Sequence, residues 1–143
     1  MITVSEVMST QVKTINLSES ISTAKTMMKQ DDIRHIPVVD NKNYPVGIIS
    51  QRDILRAQVS DLTKNEPRTI DEELVAVEQI MSKKISYAHP SDPLRGAGIE
   101  MQQHKFGCLP VIENDQLVGI ITDSDFVSVA INLIEQMDLS EDM

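Results

Sequence analysis

Two aspartates, Asp53 and Asp125, each stand three residues beyond a hydroxyl side chain, Ser50 and Thr122, where a glycine-led apolar run gives way to polar residues. A carboxylate so placed can accept hydrogen bonds from both vicinal hydroxyls of a ribose, while the hydroxyl and the N–H groups of a helix start face sugar or phosphate. The same residues have a purely structural use, because Ser and Thr cap helices and aspartate in a first turn favours the helix dipole. Other reactive side chains are sparse. His35, His89 and His104 lack a second ligand at a spacing that would hold zinc, so no metal is expected. His104 and Lys105 end a helical stretch, where positive charge suits the dipole. Cys108 lies in the apolar run Cys108-Leu109-Pro110-Val111-Ile112 and reads as a buried thiol. The sequence has no nucleophile elbow, Walker loop, dinucleotide glycine fingerprint or paired acid and base, so no enzyme activity is expected.

The composition narrows the partners. At 143 residues and 41% hydrophobic, the chain has material for one core. A net charge of −9, without a basic stripe interleaved with aromatics, opposes nucleic acid. With two Phe, two Tyr and no Trp, a base-like ligand would be held by aliphatic walls and backbone groups. No apolar run is long enough to span a bilayer and the N-terminus lacks the pattern of a signal peptide, so no membrane association and a cytoplasmic location are expected. The Met1 start reads as that of a complete chain.

The elements that must position Asp53 and Asp125 come as a duplication. Val7-Met8-Ser9 answers to Ile80-Met81-Ser82, Ala24 to Ala97, Met28 to Met101, and Ile36-Pro37-Val38-Val39-Asp40 to Leu109-Pro110-Val111-Ile112-Glu113. The offset is 73 residues, as from Ser18 to Ser91, and 72 after the turn, as from Asp53 to Asp125. Each copy starts with a short helical lead-in, residues 4–8 or 75–81, followed by an extended stretch. Ser18 and Ser91 are expected as N-caps, with Pro93 in the first helical turn. Ile21, Ala24, Met27 and Met28 form the buried face of the first helix, and the repeated methionines read as packing. Two apolar runs form a hairpin-like strand pair, after which Ser50 or Thr122 caps a second helix. The predicted fold is α/β (α+β), two βαββα repeats: residues 1–60, an exposed linker at 61–74, residues 75–137, and a frayed acidic tail at 138–143. The last helix, through Phe126, Val129, Ala130, Leu133 and Ile134, is long enough to cover or join something.

These motifs, occurring twice in order, make each half resemble a CBS domain and the pair a Bateman module. The resemblance implies clefts commonly occupied by AMP, ADP, ATP or S-adenosylmethionine, and pairing into flat homodimers. Ser50 with Asp53 and Thr122 with Asp125 match the ribose-binding positions. Adenine would slot between Thr14-Ile15 or Tyr87-Ala88 and Ile36-Pro37 or Leu109-Pro110, although these apolar residues serve equally well as core. Arg34 and His35 match positions that often carry phosphate-touching basic residues, and Arg52 lies beside the ribose motif. The second half has Gly107, Cys108 and Ser124 there, with Asp123 adding negative charge, so the first cleft is the better candidate for a phosphorylated ligand, and the second is left empty, holds a nucleoside-like ligand or depends on basic residues of the first half; the plain alternative for Arg34 and Arg52 is a solvated surface charge.

The expected function is non-catalytic regulation: an adenine nucleotide (AMP, ADP or ATP) bound between the repeats signals to a protein target, and the module forms a homodimer. The alternatives are a ligandless dimerisation adaptor, a module binding S-adenosylmethionine, and a fragment of a larger enzyme or transporter.

Overall fold

The computed structural model describes residues 1–62 and 71–141, with the side chains of all of these except 59–62. Most of the expected linker, residues 63–70, lies outside the described residues, as do residues 142 and 143. The chain divides into two units, and neither is a continuous half of the sequence. The first-repeat unit is Lys13–Ile85 with Asp115–Leu117, and the second-repeat unit is Met1–Val12, Ser86–Asn114 and Val118–Met143. Each lead-in therefore belongs with the other repeat.

In the first-repeat unit, strand β1 (Ile15–Asn16) runs parallel to β2 (His35–Val39), with Ile15 opposite Val38. β2 pairs antiparallel with β3 (Pro45–Ser50), with His35 opposite Ser50 and Pro37 opposite Ile48. On the far edge of β3, Ile48 and Ser82 exchange backbone hydrogen bonds of 3.0 and 2.9 Å. Helix α1 (Ile21–Asp31) buries Ile21, Ala24 and Met28 at the spacing of one helical face, as the sequence predicts, while Met27, expected on that face, is only partly buried against it. They pack with Ile36, Val38, Ile49, Val77 and Ile54 of α2 (Gln51–Leu62).

The second-repeat unit follows this plan with α3 (Leu94–His104), β4 (Cys108–Glu113), β5 (Gln116–Thr122, which enters this unit at Val118) and α4 (Asp123–Glu141), and with a single parallel bridge from Ala88 to Val111 where the first has β1. Leu94, Ala97, Met101, Leu109, Val111 and Ile121 form its core around Val4. Asn114 and Asp115, both at positive φ, make the two-residue turn between β4 and β5. Pro110 sits inside a strand without breaking it. Its carbonyl accepts from Ala88 N–H and the next ladder bond runs from Ile112 N–H to Ala88, so the missing proline N–H falls just before the pairing begins.

Two expected helix starts need correction. Ser20, not Ser18, caps α1, its Oγ accepting from Thr23 N–H at 3.1 Å. Ser18 instead donates to Asn16 Oδ1 at 2.7 Å, holding the turn that enters the helix. At α3 the N-cap is Pro93 rather than Ser91, and no side chain caps it. A carbonyl of the exchanged lead-in serves both helices: Leu94 N–H donates to Ile2 at 2.8 Å, and Ile21 N–H to Val75 at 2.9 Å. The end of α4 also differs, since the helix continues through Asp138, Leu139 and Ser140 to Glu141, residues expected as frayed tail.

The lead-ins are short 3₁₀ turns, Val4–Glu6 and Val77–Gln79, whose valines are fully buried. Each is followed by a methionine and a serine laid against a glycine of the sheet. A Cβ on Gly119 would meet Met8 Sδ at 2.6 Å and the Ser9 carbonyl at 3.0 Å, and one on Gly47 would meet Met81 Sδ at 2.7 Å and the Ser82 carbonyl at 2.8 Å. Here glycine serves close backbone approach. Gly119→Ala is therefore expected to lower stability by about 1–3 kcal/mol in denaturant titration, through overpacking against Met8 and Ser9; an unchanged midpoint would show that the lead-in does not rest there.

Cys108 is buried at 3% exposure, as expected from its apolar run. Burial, and secondarily the charge of Asp123, pushes its thiol up from 9.0 to about 12. Because the folded thiol ionises later than the unfolded one, its contribution to stability is complete below pH 9 and declines as pH rises towards 12. At pH 8 the native protein should be inert to a thiol-specific disulfide reagent and react fully in denaturant. Rapid native labelling would contradict a closed core at β4.

Candidate functional site

The register gathers the site residues of the first repeat at one end of its sheet. Ser50 ends β3 opposite His35, the first residue of β2, and Gln51 N–H donates to the Arg34 carbonyl at 2.9 Å. Thr14 precedes β1, which runs parallel to β2. Arg34, His35, Ser50, Arg52 and Asp53 thus gather where α2 begins, whereas Thr14 precedes Ile15, which pairs with Val38, three residues along β2 from His35, and is not brought to them. Ser50 N–H donates to Asp53 Oδ2 at 2.9 Å, and Asp53 N–H returns a bond to Ser50 Oγ at 3.1 Å. Ser50 caps the helix as anticipated, and the bond from Ser50 N–H to the Asp53 carboxylate, where only a favourable helix dipole was expected, makes the cap reciprocal. It leaves Asp53 Oδ1 without a hydrogen bond among the described residues, and Ser50 Oγ, acting as acceptor, still has its proton to give.

Exposure sorts the remaining residues. Thr14, Arg34 and Arg52 are exposed, whereas His35, Ser50 and Asp53 are half-buried. Ile15, Ile36 and Pro37 are buried, so their side chains pack the core.

The second-repeat unit has the same frame with other side chains. Asp123 N–H donates to the Gly107 carbonyl at 3.0 Å, the equivalent of the bond from Gln51 to Arg34. Asp125 Oδ2 accepts from Thr122 N–H at 2.8 Å and from the Thr122 hydroxyl at 3.2 Å. The hydroxyl proton is therefore engaged here, while Asp125 Oδ1 has no hydrogen bond among the described residues. Asp123 Oδ1 accepts from Ser124 N–H at 2.8 Å. Tyr87 is exposed, and Ala88, Leu109 and Pro110 are buried in the core. His89 Nδ1 lies 2.9 Å from the Ile112 carbonyl. His104 ends α3, 3.4 Å from Glu100 Oε1 and stacked on Phe106, a structural placement.

The sequence missed the backbone bonds that pin each helix start to the strand opposite. Their residues lie seventeen apart in one repeat, Arg34 to Gln51, and sixteen in the other, Gly107 to Asp123, and only strand register reveals them.

Comparison with known proteins supplies the family. The CBS domain model matches residues 4–60 and 77–132. A Vibrio cholerae chain provisionally described as an acetoin utilization protein (AcuB) is 40% identical, with 96% of each chain covered and a TM-score of 0.80. The CBS domain pair of protein MJ0100, in complex with 5′-methylthioadenosine and S-adenosyl-L-methionine, is 26% identical over 90% of this chain and 98% of that one, with a TM-score of 0.77. CBS domain-containing protein YhcV of Bacillus subtilis is 31% identical, covering 87% of this chain and 83% of its own length. Homoserine O-acetyltransferase of Methanococcoides burtonii is 32% identical over 85% of this chain, but the chain spans only 23% of that protein's length. Among the described residues no helix is long and apolar enough to cross a membrane. The chain belongs to the CBS domain family, as a tandem pair of CBS domains.

Proposed function

We propose that this CBS pair is a non-catalytic, cytoplasmic regulatory module that binds an adenine nucleotide, AMP, ADP or ATP, and communicates its presence to a protein target. One observation carries the reading. In both units a half-buried aspartate at a helix start spends Oδ2 on the local cap and has no hydrogen bond to Oδ1 among the described residues, beside strand ends that the fold brings together. Such an oxygen can accept from a ribose hydroxyl without giving up the cap. The complex of the related MJ0100 pair with two adenosine derivatives supports an adenosine-bearing ligand and equally favours a second reading, S-adenosylmethionine. Signalling follows if the ligand has different affinities for two states of the module.

Homodimerisation belongs to the same proposal. Val127, Ala130, Ile134 and Met137 recur at spacings of three, four and three along α4, all exposed, with Val127 at 58%, Ile134 at 56% and Met137 at 65%. That is the seam of a two-helix contact, and a second copy offers the same stripe. In a ligandless adaptor this seam would be the whole function.

Thermal unfolding with a nucleotide panel separates the readings. AMP or ATP should raise the midpoint of the wild type, and Asp53→Ala should lose most of that rise beyond the about 1 kcal/mol its cap loss costs without ligand. A dimer that responds to no adenosine compound would leave the adaptor. In sedimentation, Ile134→Asp should give a monomer where the wild type gives a dimer; a wild-type monomer at high concentration would remove the dimer proposal.

A further inference from the structure

The two sheet ends share one backbone frame and differ in what they offer a ligand's 5′ substituent. In the first-repeat unit the strand start and helix start joined by the bond from Gln51 to Arg34 carry two exposed guanidinium groups, Arg34 and Arg52, with Lys13 just before β1. At the equivalent places the second-repeat unit has Gly107, Ser124 and Ser86, while Gln51 is replaced by the carboxylate of Asp123. The hydroxyls differ in the same sense. Ser50 Oγ accepts from Asp53 N–H and keeps its proton for an acceptor, whereas the Thr122 proton goes to Asp125. Both helix starts offer N–H dipoles, which do not discriminate. The preceding helix ends carry charges of the opposite sense, Asp31 and Asp32 against His104 and Lys105, but they lie two or more residues outside the hydrogen-bonded strand and helix starts, and His104 is engaged by Glu100 and Phe106.

Resting on the adenosine-binding reading above, we propose that the two repeats are specialised by charge: the first-repeat site takes adenosine bearing 5′ phosphate, through Arg34, Arg52 and the Ser50 hydroxyl, and the second-repeat site takes adenosine whose 5′ substituent has no net negative charge, such as a thioether or sulfonium, with Asp123 rejecting phosphate. Arginine forks match phosphate oxygens, and a carboxylate at the same place repels them. The charge of Asp123 is already felt by its neighbour, since it helps to hold the Cys108 thiol up. A module so built reads two adenosine compounds at once, rather than one compound twice.

Calorimetric titration with AMP and with 5′-methylthioadenosine tests this on the full chain. AMP should bind one site per chain, and Arg34→Ala should weaken it by about tenfold or more while leaving 5′-methylthioadenosine unchanged. Asp125→Ala should abolish 5′-methylthioadenosine binding and spare AMP. Asp123→Gln combined with Ser124→Arg, which gives the second repeat the side chains of the first on an exposed helix start, should raise the AMP stoichiometry from one to two. Circular dichroism confirms that each variant is folded. AMP filling two equal sites in the wild type, or Arg34→Ala weakening both compounds alike, would overturn the specialisation while leaving adenosine binding intact. No heat from either compound would instead overturn the adenosine-binding reading, and this one with it.

Discussion

The exchange of lead-in segments is the constraint on which the molecule rests. Val4 is fully buried among Leu94, Ala97, Leu109 and Val111 of the second repeat, and Val77 among Ile21, Ala24, Ile36 and Ile49 of the first. Each burial is worth about 1.5–3 kcal/mol, and each segment also brings a carbonyl to the helix start it covers. A repeat cut out at its sequence boundaries would carry its own lead-in, whose native place is on the other repeat, and would lack the one that completes its core. The duplication therefore yields two units built from crossed pieces, and stability is shared by segments distant in sequence.

From this frame follows the geometry of the site. The lead-in's Met and Ser lie against Gly47 or Gly119 on the outer edge of the last strand, and three residues further along that strand Ser50 or Thr122 opens the following helix. Holding the strand fixes where the helix starts, and the bond from Gln51 to Arg34, or from Asp123 to Gly107, fixes that start to the neighbouring strand. The aspartate carboxylates are set by reciprocal or converging bonds to the hydroxyl residue three positions earlier. The carboxylates proposed to take a ribose are held in place by these bonds alone, which would limit the ordering cost of binding.

Much of this was legible in the sequence, for identifiable reasons. The helical faces of Ile21, Ala24 and Met28 and of Leu94, Ala97 and Met101 follow from a periodicity that packing preserves. The strand pairs, and Ser50 as a cap, follow from local chemistry over a few residues, whereas Asp53 was legible only as a first-turn carboxylate and not as the acceptor of Ser50 N–H. Ser18 and Ser91 misled because a serine two residues early satisfies the same composition rule, while Ser20 or a carbonyl from a distant segment does the capping. The exchange itself leaves no local trace: Val4 and Val77 look alike, and only tertiary packing decides which repeat each completes. The apolar residues near the site, Ile36, Pro37, Leu109 and Pro110, divide the same way, since their types suit core and ligand wall equally and burial assigns their side chains to the core.

If the first repeat binds a phosphorylated adenosine, it does so where β2 begins and β3 gives way to α2. Mapping amide shifts of the isotope-labelled protein during an AMP titration addresses it residue by residue. Saturable shifts should concentrate at Arg34, His35, Ser50, Gln51, Arg52 and Asp53, with the outer face of α4 unmoved. Shifts confined to Val127, Ile131 and Ile134, or none at millimolar AMP, would contradict it.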